Sequence, residues 1–368
     1  MYDINNTHDI ITPALVVFRE LVQKNLREMV RIAGSPERLR PHCKTHKMTQ
    51  VVQMGLGAGI TRHKCATLAE AEALARAGVR DILWAYAPVG PNVQRVVSFC
   101  QTFPQVALSV TFDHERPLRE LNAAATQAAI QVEVLLDLDT GMRRTGIAPG
   151  AAARDLYRTA AGLPGIKAGG FHLYDGQNNQ TDLEQRRQAV LAGWQAAQQL
   201  RKSLVADGLQ VNRIVAGGTG SFPLYAEMDD PALEASPGTC IFHDAGYAAK
   251  YPDLSFTPAA ALLTRVVSRP AEGRITFDLG YKACASDPPL ERRVRFPRIP
   301  DARIVLQNEE HLAVETDQAQ HFTPGDTCLA IPWHICPTCA LHKEACIIEG
   351  GELVDRWAVA ARDRQLTI

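Results

Sequence analysis

The 368-residue sequence has no apolar run that reaches the roughly 18 residues needed to span a bilayer. Its 39 basic and 40 acidic residues leave a formal net charge of -1, so it offers no basic surface for nucleic acid or for an anionic membrane. Its 9 cysteines are irregularly spaced and odd in number, which excludes a secreted disulfide scaffold. The start MYDINNTHDI is polar, unlike a signal peptide. We therefore expect a cytoplasmic protein that binds a small molecule.

From about residue 39, short β-rich runs alternate with Ala-rich and Leu-rich segments of helical period, which is typical of parallel βα units. The predicted strands are, in order, LRPHCK, ITRHKCA, DILWAY, ALSVTF, QVEVLLDLD, IKAGGFHLYD, RIVAGGT and TCIFHDAG. Their number, about eight, matches a (β/α)8 TIM barrel. We predict an α/β fold with this barrel at residues 20–252.

The sequence changes character beyond about residue 255. Short β-rich runs are separated there by Pro, Gly and Asp, and no long helix is indicated. This pattern predicts a second, all-β domain at residues 253–368, which also takes in an N-terminal strand within residues 1–19.

Polar residues at the ends of the predicted barrel strands are the candidates for chemistry, because barrel enzymes react at that end. Lys44 ends the first strand, Asp139–Gly146 follows the fifth, His172–Gly176 ends the sixth and Gly217–Ser221 follows the seventh. Lys44 is flanked by histidines, and a lysine beside other cationic groups loses its proton more easily and becomes a nucleophile. A solvated basic turn is the alternative interpretation of this segment.

The glycine-rich run after the seventh strand is where barrels commonly bind phosphate, because glycine lets backbone N–H groups approach an anion. Thr219 and Ser221 would add hydroxyl donors. A phosphate site and a reactive lysine in one barrel together suggest pyridoxal phosphate, which carries both a phosphate and an aldehyde.

His334 and Cys336 form the candidate metal pair. Residues two apart on a strand point to the same face, so the two side chains could hold one ion. Imidazole with thiolate suits zinc, and two protein ligands leave positions open for water or substrate. The rival interpretations are buried thiols without a metal and a closed structural site made of Cys336, Cys339, His342 and Cys346.

In combination, these motifs resemble those of the fold-type III pyridoxal-phosphate enzymes, the alanine-racemase-like barrels. Within them the chain resembles the D-threonine aldolase and D-serine dehydratase group. RPHCKTHK is similar to that group's cofactor-lysine motif, LDTGMRRTG to its arginine loop and PWHICPT to its metal motif. SPGTCIFHDAGY and DLGYKACASDPP resemble other segments around its site.

The resemblance implies that Lys44 forms the Schiff base with the cofactor and that the nearby Lys47 does not. It implies that Arg144 faces a ring atom of the cofactor, with a salt bridge to Asp139 as the alternative. The other residues that it assigns are Tyr174 near the ring, Gly218, Thr219, Gly220 and Ser221 near the phosphate, and His334 and Cys336 on a divalent metal, which would be zinc, manganese or magnesium.

The implied reaction is retro-aldol cleavage of a D-3-hydroxy amino acid to glycine and an aldehyde. Gln177 and Asn179 stand where the aldolases typically carry histidine, which leaves a metal-bound water, His172 or His46 as candidate bases. The cysteine of the metal pair favours the alternative, a D-serine or D-3-hydroxyaspartate dehydratase that forms a keto acid and ammonia.

Two other activities fit the sequence less well. A racemase of this fold would need no metal, and a non-catalytic pyridoxal-phosphate carrier would lack the second domain. The resemblance also implies a homodimer. Lys282, or an arginine near the pocket, would favour an acidic substrate.

Overall fold

The computed structural model describes residues 2–368, which divide into two compact units. The first, here called the β unit, consists of Met1–Met29, Thr45–Val51 and Thr239–Asp363. The second, the barrel unit, consists of Val30–Lys44, Val52–Gly238 and Arg364–Ile368. The division therefore falls directly after Lys44.

The strands are β1 (Ala14–Phe18), β2 (Arg62–Cys65), β3 (Asp81–Trp84), β4 (Ala107–Phe112), β5 (Val132–Asp137), β6 (Ile166–Leu173), β7 (Arg213–Ala216), β8 (Leu233–Ala235), β9 (Ala260–Ala271), β10 (Arg274–Phe277), β11 (Val294–Arg295), β12 (Arg303–Gln307), β13 (Leu312–Glu315), β14 (Thr327–Pro332), β15 (Glu344–Glu349) and β16 (Glu352–Ala358). The α-helices are α1 (Arg19–Ala33), α2 (Thr49–Gly57), α3 (Leu68–Arg76), α4 (Pro91–Thr102), α5 (Glu115–Gln127), α6 (Ala151–Ala161), α7 (Leu183–Ala206), α8 (Phe222–Ala226), α9 (Ala245–Lys250) and α10 (Ile335–Leu341). No helix in residues 2–368 is long and apolar enough to cross a membrane.

The barrel unit is built on a parallel sheet in which β2 to β8 lie in chain order. Residues 39–42 close it, because Leu39 pairs with Ala235 of β8 and His42 pairs with Lys64 of β2, both in parallel. The predicted (β/α)8 barrel is confirmed. The first strand position of the barrel is occupied only by these two isolated bridges and not by a regular strand. Pro41 has no N–H to donate, and the chain turns at Cys43–Thr45.

The barrel interior is packed in layers, as its closure requires. Leu83, Leu135 and Val215 come from β3, β5 and β7 and form one fully buried apolar group, the alternate-strand layer expected of this fold. Below it, at the strand starts, the buried Arg40 binds Glu234 at 2.5 Å and Asp81 at 2.9 Å. The apolar group and the Arg40 ion pairs fill the lower part of the barrel interior. The polar groups at the other end of the strands are therefore not needed to pack it.

The predicted eighth strand, TCIFHDAG, is wrong. Residues 239–241 form a 3-10 turn, and α9 begins at Ala245 because the Asp244 carboxylate accepts the Tyr247 N–H at 2.7 Å as an N-cap. The eighth strand is the three-residue β8, which precedes it. Such a short strand, with prolines on both sides, carries too little alternation to be recognised from sequence.

The β unit contains a sheet in which β1 lies between β9 and β15. β1 pairs with β15 in parallel, with Val16 opposite Cys346, and with β9 in antiparallel orientation, with Val16 opposite Ala261. These residues belong to one apolar core. The unit is mostly β, as predicted, and its short helix α10 follows β14 after a two-residue turn.

Candidate active site

The strand ends of the barrel unit bring together a set of charged and aromatic side chains, here called the barrel cluster. Its members are Lys44, Lys64, Asp137, Arg144, His172, Tyr174 and Asp175. Lys44, Arg144, His172 and Tyr174 were predicted from the sequence, whereas Lys64, Asp137 and Asp175 were missed. Each comes from the end of a strand or from the loop that follows it, as the fold requires.

Lys44 lies in the 3-10 turn Cys43–Thr45 and is half-buried. Its backbone N–H points to Nδ1 of His42 at 3.3 Å, which helps to hold the turn. Lys64, on β2, is almost fully buried, with 2% of its surface exposed. Burial, together with the positive charge of Lys44, lowers the pKa of Lys64 to about 7.

Arg144 and Tyr174 are in direct contact. The Arg144 guanidinium carbon lies 4.6 Å from the centre of the Tyr174 ring, a cation–π arrangement. The alternative salt bridge to Asp139 does not form, because Asp139 Oδ1 instead accepts the backbone N–H groups of Gly141 and Arg143, each at 2.9 Å. A Cβ at Gly218 would come within 3.2 Å of the Tyr174 ring, so glycine at 218 leaves room for that ring.

His172 and Asp137 form a buried dyad. Nδ1 of His172 lies 2.7 Å from Oδ1 of Asp137, while Nε2 of His172 is buried and has no hydrogen-bond partner in the described part of the chain. Burial lowers the pKa of His172 and outweighs the opposite effect of Asp137. For Asp137, burial is outweighed by the His172 contact, so its pKa is lowered and it stays ionised. An ionised Asp137 accepts a hydrogen bond from Nδ1–H of His172, and in that tautomer Nε2 carries a lone pair.

The glycine-rich run follows β7 directly, as predicted, and turns through Gly217 with φ of 82°. Its hydroxyls, however, already have protein partners. Ser221 donates to Asp175 Oδ1 at 2.7 Å and accepts the Gly218 N–H at 3.1 Å, while Thr219 Oγ1 accepts the Gly238 N–H at 3.3 Å. Backbone N–H groups of the run are engaged as well, since that of Gly217 donates to the Leu173 carbonyl at 3.0 Å and that of Ser221 to the Gly218 carbonyl at 3.2 Å.

His46 lies in the β unit, outside the barrel cluster. It is buried, its Nδ1 accepts the Met48 N–H at 3.1 Å, and its ring packs edge-on against Phe242 with 6.0 Å between ring centres. These contacts are those of a core histidine.

The metal pair does not lie on a strand, contrary to the prediction. β14 ends at Pro332, His334 is the N-cap residue of α10, and Cys336 lies in the first turn of that helix. The two side chains still meet, because the helix turn brings the Cys336 thiol to the His334 ring. A contact predicted from strand geometry is thus produced by a different local structure.

Three further polar groups surround the metal pair. His334 Nδ1 lies 2.5 Å from Asp287 Oδ2, and the hydroxyls of Thr45 and Thr239 lie 3.2 Å and 3.4 Å from the Cys336 sulfur. Burial lowers the pKa of His334, but Cys336 and Asp287 outweigh it and raise that pKa to about 9. A carboxylate behind an imidazole is the usual outer support of a metal-binding histidine.

The closed four-ligand zinc site does not form. His342 Nε2 is bound to the Ala283 carbonyl at 2.7 Å, Cys346 lies on β15, and burial raises the pKa of Cys339 far above its ordinary value. Among residues 2–368, only His42, Cys43 and Glu70 place three ligand atoms close enough to share an ion. Glu70 there accepts the Ala66 N–H at 2.6 Å and helps to begin α3, which accounts for its position without a metal.

The comparisons with known proteins agree with this geometry. Residues 19–245 match the family described as "Alanine racemase, N-terminal domain", and residues 259–348 match "Putative serine dehydratase domain". A D-threonine aldolase of Arthrobacter sp. is 31% identical over 365 residues, which are 95% of this chain and 92% of that protein.

Two solved structures are also similar. The D-threonine aldolase of Filomicrobium marinum superposes with a TM-score of 0.90 at 26% identity, covering 97% of each chain. The D-threo-3-hydroxyaspartate dehydratase of Delftia sp. HT23 has a TM-score of 0.84 at 24% identity, covering 95% of this chain and 97% of that one, a likeness of fold. The chain belongs to the fold-type III pyridoxal-phosphate enzymes, in the D-threonine aldolase and D-serine dehydratase family. Its activity is that of a pyridoxal-phosphate-dependent lyase.

Proposed function

We propose that this chain is a pyridoxal-phosphate- and metal-dependent lyase that cleaves D-3-hydroxy amino acids into glycine and an aldehyde. The observation that carries the proposal is the barrel cluster: a half-buried Lys44 shares the strand ends with a buried second amine and with the His172–Asp137 dyad. The 31% identity to a D-threonine aldolase along nearly the whole chain favours the aldolase reaction.

The barrel cluster fits the cofactor. The amines of Lys44 and Lys64 and the guanidinium of Arg144 would face a ligand that carries a phosphate and a phenolic oxygen, beside the Tyr174 ring. When bound, pyridoxal phosphate supplies an aldehyde that condenses with an amine and a ring that accepts electrons from the bond broken at Cα. Lys44 is the anchoring amine, and Arg144 and Tyr174 border the ring.

His172 is the base that we assign to the reaction. Asp137 holds the Nδ1 proton, so Nε2 is the ring atom free to accept a proton from the 3-hydroxyl of the substrate. Burial keeps the imidazole neutral, which is the protonation state that a base requires. Gln177 and Asn179 leave a metal-bound water, His172 and His46 as candidate bases, and the Nε2 of His172, unpaired among the described residues, supports its choice among them.

His334 and Cys336 would hold the divalent metal, whose chemistry there is to lower the pKa of a bound hydroxyl. An imidazole and a thiol offer one borderline and one soft donor, so the pair suits zinc better than manganese or magnesium. Asp287 orients the imidazole through Nδ1 and leaves Nε2 for the ion.

A dehydratase is the second candidate, and the cysteine of the metal pair is the observation that favours it. In that reaction Lys44 would remove the Cα proton and the metal would assist loss of the 3-hydroxyl. An acidic substrate such as 3-hydroxyaspartate receives no support from Lys282, because its ammonium already pairs with Glu309 at 2.7 Å and Glu310 at 3.2 Å.

Product analysis separates the two reactions. The purified protein, loaded with cofactor and zinc, is incubated with D-threonine, with L-threonine as the control substrate. Glycine and acetaldehyde from the D-isomer alone support the proposal, whereas 2-oxobutyrate and ammonia would replace it with the dehydratase. The family further suggests a homodimer, which light scattering of the purified protein would test. It also suggests a cytoplasmic location.

A further inference from the structure

Lys64 is a buried amine that the reaction described above does not use. It lies on β2, its backbone N–H donates to the Pro41 carbonyl at 2.8 Å, and this bond fixes its strand beside the segment that ends in Lys44. Its ammonium nitrogen lies 6.0 Å from the centre of the Tyr174 ring. Within residues 2–368, no carboxylate comes within 4.0 Å of that nitrogen to form an ion pair.

Two carboxylates lie near enough to act on Lys64 electrostatically, but other donors occupy both of them. Asp137 binds His172, and Asp175 accepts hydrogen bonds from Ser221 at 2.7 Å and Tyr225 at 3.1 Å. The titratable and charged groups that surround the Lys64 amine are Lys44, Asp137, Arg144, His172 and Asp175. A buried ammonium without a close counter-ion is costly, so this position favours the neutral amine.

We propose that Lys64, buried without a close counter-ion among the described residues, is a second functional amine of the site that takes up a proton when an anionic oxygen of the ligand binds beside Tyr174. This rests on the proposed function, because the anion is either the phenolic oxygen of the cofactor ring or the carboxylate of the substrate. In balance, the amine gains one proton from solvent and becomes an ammonium, and the ligand oxygen becomes its counter-ion.

The direction of the effect follows from the cluster's charges. An anion beside Lys64 favours the protonated form and raises the pKa of this amine from about 7. Binding measured at about pH 8 therefore begins with an amine that is mostly neutral and ends with one that is mostly charged. A lysine that is already charged before the ligand binds would take up no proton on binding.

The experiment uses two ligands that cannot react with Lys44. Pyridoxine 5'-phosphate has an alcohol in place of the aldehyde, and the reduced adduct of the cofactor with D-alanine adds the amino-acid carboxylate. Calorimetry in buffers of different ionisation enthalpy at about pH 8 gives the number of protons bound with each ligand. We expect roughly one proton more per site in the wild type than in Lys64→Arg, whose guanidinium stays charged.

The outcomes distinguish the sources of the anion. Extra uptake with both ligands assigns the ring oxygen, and extra uptake with the D-alanine adduct alone assigns the carboxylate. Tight binding of both ligands with the same proton count in wild type and Lys64→Arg overturns the role of Lys64 and leaves the proposed function standing. Failure of the wild type to bind either ligand overturns the proposed function.

Two further variants keep the test independent of folding defects. Lys64→Met also lacks a titrating amine, so its proton count should match that of Lys64→Arg. Lys167→Met is the matched control, because Lys167 is an exposed lysine at the start of β6, paired with Glu133 at 3.1 Å. Its proton count should equal the wild type's, and a change there as large as that in Lys64→Arg would contradict the assignment.

Discussion

The barrel cluster draws its side chains from the ends of several parallel strands, whereas the metal pair lies in one segment at the start of α10. The first arrangement depends on the register of the whole sheet, since each strand delivers one or two residues to the same end. The second depends only on one helix turn and on the Asp287 contact behind it. The cofactor site should therefore be sensitive to the fold as a whole, and the metal pair to local changes.

The histidines of the two regions show the same difference in electrostatics. Burial of His172 and the nearby cations Lys64 and Arg144 outweigh its contact with Asp137, so its pKa is lowered and it remains a neutral base. His334 has a thiol and a carboxylate as partners, and its pKa is raised to about 9 in spite of burial. One environment repels a positive charge and the other attracts one, which suits them to an anionic cofactor and to a metal cation respectively.

The largest expected effect is at the barrel cluster. Lys44→Ala removes the amine that anchors the cofactor, so the absorption band of the protonated imine, at about 410 to 430 nm, should disappear. Lyase activity should fall by roughly 10³-fold or more, as expected when a covalent anchor is lost. Lys47→Ala is the matched control and should keep the band. A wild-type protein that stays colourless with added cofactor would remove the basis of the comparison.

Loss of the metal pair should give the next largest effect while sparing the cofactor. Cys336→Ser should lower bound zinc, measured by elemental analysis, and reduce activity about 10²-fold to 10³-fold, because a metal that lowers a hydroxyl pKa contributes on that scale. The absorption band should persist. Cys346→Ser, which changes a buried thiol on β15, should keep the metal. If Cys336→Ser binds as much zinc as the wild type, the pair is not the metal site.

Asp137→Asn tests the dyad. An amide no longer fixes the Nδ1 proton of His172, so kcat should fall about 10-fold to 100-fold. Asp137 raises the pKa of His172, so its removal should move the acid limb of the pH–rate profile to lower pH. Asp155→Asn changes an exposed carboxylate on α6 and should leave the profile unchanged. A profile that does not move in Asp137→Asn would exclude His172 as the titrating base.

The barrel and most of its cluster could be predicted because strand-end positions follow from a repeated pattern. Lys44 ends a recognisable β-rich run, His172 lies near the end of another and Arg144 follows a third, and their convergence is a property of the fold. Lys64 could not be recognised in the same way, since it reads as one more polar residue in the run RHK, and only the closed barrel shows that it is buried. Its place in the predicted strand ITRHKCA, two residues before the end, was the signal available.

The parts that could not be predicted depend on tertiary contacts. β8 is three residues long and gives no periodic signal, so its place was assigned to the following segment, where Asp244 in fact begins a helix. The contact between His334 and Asp287 joins residues 47 positions apart, which no local pattern indicates. In both cases the local sequence pattern did not contain the tertiary contact that determines the backbone structure.

The smallest expected effect is on the stability of a variant at Lys64, and it tests whether this lysine is kept for binding or for folding. The pKa of this amine is about 7 in the folded protein and 10.5 in the unfolded chain, so the unfolded chain binds more protons between those pH values. The buried amine therefore lowers the free energy of unfolding most below about pH 7, and progressively less as the pH rises to 10.5. Lys64→Met should therefore raise the free energy of unfolding of the cofactor-free protein by about 1–3 kcal/mol at pH 7, after the loss of packing is subtracted. The gain should shrink as the pH approaches 10.5, which chemical denaturation at several pH values would measure. A variant less stable than the wild type at every pH would show that Lys64 supports the barrel, as Arg40 does, and is not a group kept for binding.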